Sequence, residues 1–193
     1  MSIFKHLFSR AALAAALLAG MGAAWAGPSY HVAIDTTASA GDGYLQMDFL
    51  AFGATDPLTA TVSQLQGAFT GTPELINVGS GADGALTFNN AAFSEFFQSI
   101  ALGGLFSFDL SFDGTPAGVG NTGFSVSLLN GAGDYLSFQA VQIGLDGNGT
   151  TVSADPAFAS VTPAATDVPE PAELATLLTG LGLMGFTLRR RSR

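Results

Sequence analysis

The chain has no cysteine. It therefore has no disulfide framework, no thiolate metal site and no cysteine nucleophile. Positive charge is almost as scarce. Only six residues are Lys or Arg, against 15 Asp or Glu. All six sit at the two ends, as Lys5 and Arg10 and then Arg189, Arg190, Arg191 and Arg193, so the stretch from Gly27 to Leu188 has none. A nucleic-acid partner is excluded for that stretch, because binding phosphates requires cationic side chains that displace counterions. Side-chain salt bridges to Lys or Arg are equally closed to it, so its carboxylates must be solvated, hydrogen-bonded at turns or bound to metal ions.

The ends carry addresses. Lys5, His6 and Arg10 form a basic n-region, Ala11 to Ala24 is an apolar run, and Ala24-Trp25-Ala26 ends it with small residues at −3 and −1. That order is an export signal over residues 1–26, cut by signal peptidase after Ala26. At the other end Val168-Pro169-Glu170-Pro171 is followed by an apolar stretch from Ala172 to Leu188 and then by RRRSR. As a helix the stretch would be roughly 25 Å long, short of the ~30 Å hydrocarbon core, so it spans as a single transmembrane helix only with local thinning and snorkelling arginines. Arginines just past it stay cytoplasmic, which places everything before Pro169 outside the cytoplasm. An ordinary permanent membrane anchor accounts for the same apolar run.

Motif, short apolar segment and terminal arginines, in that order over residues 168–193, resemble the PEP-CTERM sorting signal of Gram-negative bacteria. The resemblance implies that the chain is a substrate of an exosortase, a membrane transpeptidase that cuts at or near the motif and is linked to exopolysaccharide and biofilm production. Val168, Pro169, Glu170 and Pro171 would be read by that enzyme's active site, with Arg189, Arg190, Arg191 and Arg193 as the basic stop. Physically, Pro169 and Pro171 cannot join a regular helix and hold the segment extended. The implied route runs through an inner-membrane intermediate to the cell surface or extracellular matrix.

Between the addresses the dominant period is two. In Leu105 to Phe112 the residues Phe106, Phe108, Leu110 and Phe112 share one face, and Ser107, Asp109 and Ser111 the other, as in a half-buried strand. Strands are also expected at Tyr30–Ile34, Tyr44–Phe52, Leu58–Phe69, Leu75–Val78, Ala85–Phe88, Phe124–Leu128, Tyr135–Ile143 (with Leu136, Phe138 and Ala140 among those competing for the inner face) and Thr150–Val161. Phe93 to Ile100 fits a helical face through Phe93, Phe96, Phe97 and Ile100, yet strand is preferred. Gly- and Asp-rich turns such as Asp146-Gly147-Asn148-Gly149 separate these segments. The expectation is an all-β domain over 27–159, an antiparallel β-sandwich or jelly roll. Many of the chain's 16 Phe, 13 of which lie in this domain, would fill the core. Residues 160–167, small, polar and Pro-containing, read as a flexible tether.

No constellation of residues points to catalysis. Past the signal the one histidine is His31, on a strand, and no GxSxG is present. Asp109 with Asp113, or Asp35 with Asp42, are carboxylate pairs near enough in sequence to suggest glycoside hydrolysis, but a chain this rich in acids produces such pairs by accident. The domain is read as non-enzymatic. Asp146, Asn148 and Thr150 place oxygens at alternate positions, like the first half of a calcium loop without its closing Glu. Plain β-turn chemistry explains the same residues and is preferred, so no cofactor is expected. A calcium-assisted polysaccharide-binding module is the alternative function, and a hydrolase acting on the matrix a weaker one.

Overall fold

The computed structural model describes residues 27–53, 55–114 and 120–164, and every helix or strand among them is a strand. The export signal with Ala24 and Ala26, and the sorting tail with Val168 to Pro171 and its arginines, lie outside the described residues. Twelve strands run in chain order: β1 Ser29–Asp35, β2 Gly41–Phe52, β3 Thr59–Gln66, β4 Glu74–Ile76, β5 Val78–Ser80, β6 Leu86–Asn89, β7 Ser94–Leu102, β8 Leu105–Asp113, β9 Asn121–Asn130, β10 Tyr135–Asp146, β11 Gly149–Ala154 and β12 Ala159–Pro163. They form two six-stranded sheets, β12-β1-β8-β3-β6-β5 and β11-β10-β9-β2-β7-β4, in which every strand pair is antiparallel. The result is an all-β, sandwich-like domain.

Alternation sets the inner faces. Phe106, Phe108, Leu110 and Phe112 of β8 are all buried, as their spacing predicts, and one cluster joins them to Leu45, Met47 and Phe49 of β2 and to Phe124, Val126 and Leu128 of β9. Phe124 is the hub where the sheets meet. Its ring lies 5.6 Å from that of Phe88, 6.3 Å from Phe112 and 6.5 Å from Phe108, tilted or edge-on as the aromatic quadrupole favours. Polar cross-links are few and complete. Buried Asn90 accepts from the Leu58 N–H at 2.8 Å and donates to the Asp56 carbonyl at 2.9 Å and to Thr122 Oγ1 at 3.0 Å, which ties the approach to β3 in the first sheet to β9 in the second.

Four segments differ from their sequence reading, each for a local reason. Leu75–Val78 is two strands, because Asn77 turns left-handed at φ 52° and sends the chain from the second sheet into the first. Asn tolerates that conformation better than most residues. Thr150–Val161 is likewise two strands. Asp155 turns the chain between them, its Oδ1 accepting from the Ala157 N–H and its Oδ2 from the Ser137 hydroxyl. The Ser137 bond, with the Ala157 bond second, holds this carboxyl below its ordinary value. The domain boundary at 159 and the tether from 160 also need correction. Ser160 to Pro163 pair with β1, from Ala33↔Ser160 to Tyr30↔Pro163, since β1 would otherwise leave a bare sheet edge and Val161 packs on the core. Finally, Phe138 is 64% exposed instead of facing inward, because β10 is bulged between Ser137 and Val141. Phe93 to Ile100 is strand, as preferred: Ser94–Leu102 pairs with β2 from Phe49↔Ser94 to Gly41↔Leu102.

Candidate functional site

The outer face of the second sheet concentrates what chemistry the described residues have. Inward Leu45, Met47 and Phe49 of β2 force Gln46, Asp48 and Leu50 outward, and the same alternation exposes one residue in two on each neighbouring strand. Register then aligns them. Glu95 stands opposite Asp48, Asp48 opposite Ser125, Ser125 opposite Gln142, and Gln142 opposite Ser153. This is an unbroken polar row across five strands. The next row holds Leu50, Gly123, Gly144 and Thr151, and its two glycines remove side chains from the middle of the sheet.

That gap is a groove. One depression of about 180 Å³ is lined by residues including Asp48, Phe93, Ser125 and Gln139, and a second of about 300 Å³ by residues including Asn121, Thr151 and Ser153; Phe52, Gly123 and Gln142 line both. Together they fall at the small end of ligand pockets, which span about 300–1,000 Å³. Phe52 and Phe93 remain 62% and 39% exposed beside it. The bulge in β10 is part of the same construction. Gln139 takes a left-handed φ of 54°, unusual for a non-glycine strand residue, and its N–H is held by Ser127 Oγ at 3.1 Å. Bulges commonly re-aim side chains at functional places.

Electrostatically the groove is acidic at one end. Burial, reinforced by the Glu95 charge across the strand pair, pushes the Asp48 carboxyl up to about 6, against the opposing pull of the Gln46 amide. Gln46 Nε2 donates to Glu95 Oε2 at 2.9 Å and to Asp48 Oδ1 at 3.3 Å, so one amide serves both acids. Nothing cationic faces them, for no Lys or Arg lies between Gly27 and Leu188.

The residues singled out from the sequence lie elsewhere. His31 of β1 and Asp109 of β8 meet on the outer face of the first sheet, Nδ1 to Oδ1 at 2.7 Å, each about half exposed. Asp113 sits four residues along the same strand from Asp109, roughly 13 Å at strand rise, beyond the roughly 5–9.5 Å that carboxylates of glycosidases keep. Asp35 accepts from the Thr37 hydroxyl and N–H, which in that order hold its carboxyl below its ordinary value; Asp42 belongs to the other sheet. Asp146, Asn148 and Thr150 lie at the β10–β11 hairpin, whose two-residue turn is Gly147-Asn148. Asp146 Oδ1 accepts from the N–H groups of Asn148 and Gly149, while Thr150 pairs with Leu145. Among the described residues no three His, Asp or Glu gather as a metal site would require.

Asp48, Glu95, Gln139 and Gln142 were not among the sequence candidates. The alternation in β2 shows that Gln46 and Asp48 share a polar face, but only register brings Glu95, Ser125 and Gln142 beside them. No protein-family model matches the chain, and no curated protein or solved structure matches it significantly.

Proposed function

We propose that the chain is an exported, non-enzymatic protein of a Gram-negative cell surface or extracellular matrix, processed first by signal peptidase and then by an exosortase, and associated with exopolysaccharide. The observation that carries this is the order of signals: an apolar run ending in Ala24-Trp25-Ala26, and, after the domain, Val168-Pro169-Glu170-Pro171, an apolar segment and RRRSR. The extent of the sheets supports it. The last strand, β12, ends at Pro163, so a cut at or near the motif removes none of the described strands. Of the 15 acids only Glu173 lies beyond Pro171, so the mature piece carries 14 and no Lys or Arg. Such a polyanion stays soluble and repels its own copies.

Intact mass spectrometry of the protein recovered from its host's envelope and medium tests the reading. A species starting at Gly27 and ending between Val168 and Pro171, or carrying an adduct there, is expected. Mature protein that retains Arg193 in the membrane would refute processing and make the tail a permanent anchor.

A further inference from the structure

We infer that the groove across β2, β9, β10 and β11 is a metal-free binding site for an uncharged, hydroxyl-rich glycan chain. This rests on the reading of the protein as a component of a polysaccharide matrix, and it names the chemistry by which the domain would hold that matrix.

The chemical class follows from what lines the groove. Sugar hydroxyls donate and accept at once, and the polar row offers both functions: carboxylate oxygens on Asp48 and Glu95 accept, the Gln142 amide can donate and accept, and Ser125 does either. Phe52 and Phe93 leave ring surface exposed beside the row. Apolar walls with a few convergent polar groups are the usual composition of a small-molecule site. Anionic ligands are disfavoured, since the Asp48 carboxylate lines one end of the groove, Glu95 stands beside it on the next strand, and no Lys or Arg stands anywhere in the domain to receive them. A peptide strand is equally unsuited, because this is the face of a sheet whose central strands already have their backbone groups paired on both sides. Gly123 and Gly144 keep the floor low. The bulge that turns Gln139 left-handed also sets it among the residues lining the first depression, where its amide adds a further donor and acceptor.

The test uses the full chain purified in detergent, so that it does not depend on how the tail is processed. Electrophoresis through gels containing the neutral glycans dextran, laminarin or galactomannan, with anionic alginate as control, should show retardation by at least one neutral glycan, none by alginate, and no change with EDTA. Gln142→Ala or Phe52→Ala should weaken the interaction about tenfold. Gly123→Val is the sharper variant. Gly123 has no positive φ, and a Cβ there meets only Phe52 Cε2, at an ordinary 3.8 Å, so a branched side chain would fill the groove without straining the strand. It should abolish retardation while leaving the unfolding midpoint unchanged or higher.

No retardation by any of the three neutral glycans, or retardation that survives Gly123→Val, overturns the site. Binding lost in EDTA overturns its metal-free character, and release of reducing ends from the probe, absent in Asp48→Asn, overturns a site that only binds. None of these outcomes bears on the chain termini, which mass spectrometry decides separately.

Discussion

Replacing Asp48 with Asn should stabilise the domain at pH 8 and leave it unchanged near pH 3.5. The carboxyl is lifted from an ordinary 3.8 to about 6 by burial and by Glu95, so the folded state holds its proton more tightly than the unfolded state does. Below about 3.8 both states are protonated and there is no cost. As pH rises from there to about 6 the native protein must ionise a group it would rather keep neutral, and above about 6 the whole penalty is present. A shift of about two units corresponds to roughly 3 kcal/mol. The side chain borders the open groove, however, and water screens part of its charge, which brings the expected gain to about 1–2 kcal/mol. Asn keeps an oxygen for the Gln46 amide, so nothing else need change. Urea titrations of residues 27–164 followed by far-ultraviolet circular dichroism at pH 8 and pH 3.5 measure the difference. An equal gain at both pH values, or a loss at pH 8, would show that the Asp48–Glu95 pair carries no such penalty.

The remaining predictions concern core, cross-link and tail. Phe124→Ala deletes the ring that joins Phe49, Phe88, Phe108 and Phe112 and should cost about 3–5 kcal/mol in the same urea assay; a loss below 1 kcal/mol would mean that the two sheets do not meet there. Asn90→Ala strands the Leu58 N–H, the Asp56 carbonyl and the Thr122 hydroxyl. It should cost about 2–4 kcal/mol, and hydrogen exchange at Leu58 should accelerate. Neutralising Arg189, Arg190, Arg191 and Arg193 should impair membrane retention and processing of the tail, seen as unprocessed or mislocalised protein on immunoblots of cell fractions. Normal surface delivery of that variant would count against the sorting signal.

Stability and binding compete at Asp48. A carboxylate that repels Glu95 and resists ionisation is a poor choice for holding a sheet together, yet it is the kind of acceptor a sugar hydroxyl prefers. The variant that should gain stability, Asp48→Asn, should therefore lose glycan affinity, a trade-off familiar where a functional group is kept against the interest of the fold.

Local chemistry was legible in the sequence where an unbulged strand carried its period of two along a buried face; in β10 the bulge put Phe138 outside. In Leu105 to Phe112 the pattern alone named the four inward residues, because one face of a strand must exclude water along its whole length. Strand also prevailed for Phe93 to Ile100, although its aromatics fit a helix as well. Where the chain changed sheets, the pattern misled. At Asn77 a single left-handed residue, and at Asp155 to Phe158 a short turn, divides what reads as one strand, and no periodicity reports a change of partner. Ser160 to Pro163 read as a tether, since its composition is polar and small. Its place as an edge strand comes from the unpaired backbone of β1, 131 residues away by the His31–Thr162 contact.

By itself, then, the sequence determined the all-β class, most of the core and the absence of Lys and Arg from the domain, all of which depend on residue type and local alternation. Only the tertiary structure decided the groove. Asp48 and Glu95 are 47 positions apart and Gln142 is 94 from Asp48, and they share a row only because β2 lies between β7 and β9 in the second sheet, with β10 on the far side of β9. Strand order and register are products of how the whole core packs, and for that reason no single stretch of sequence states them.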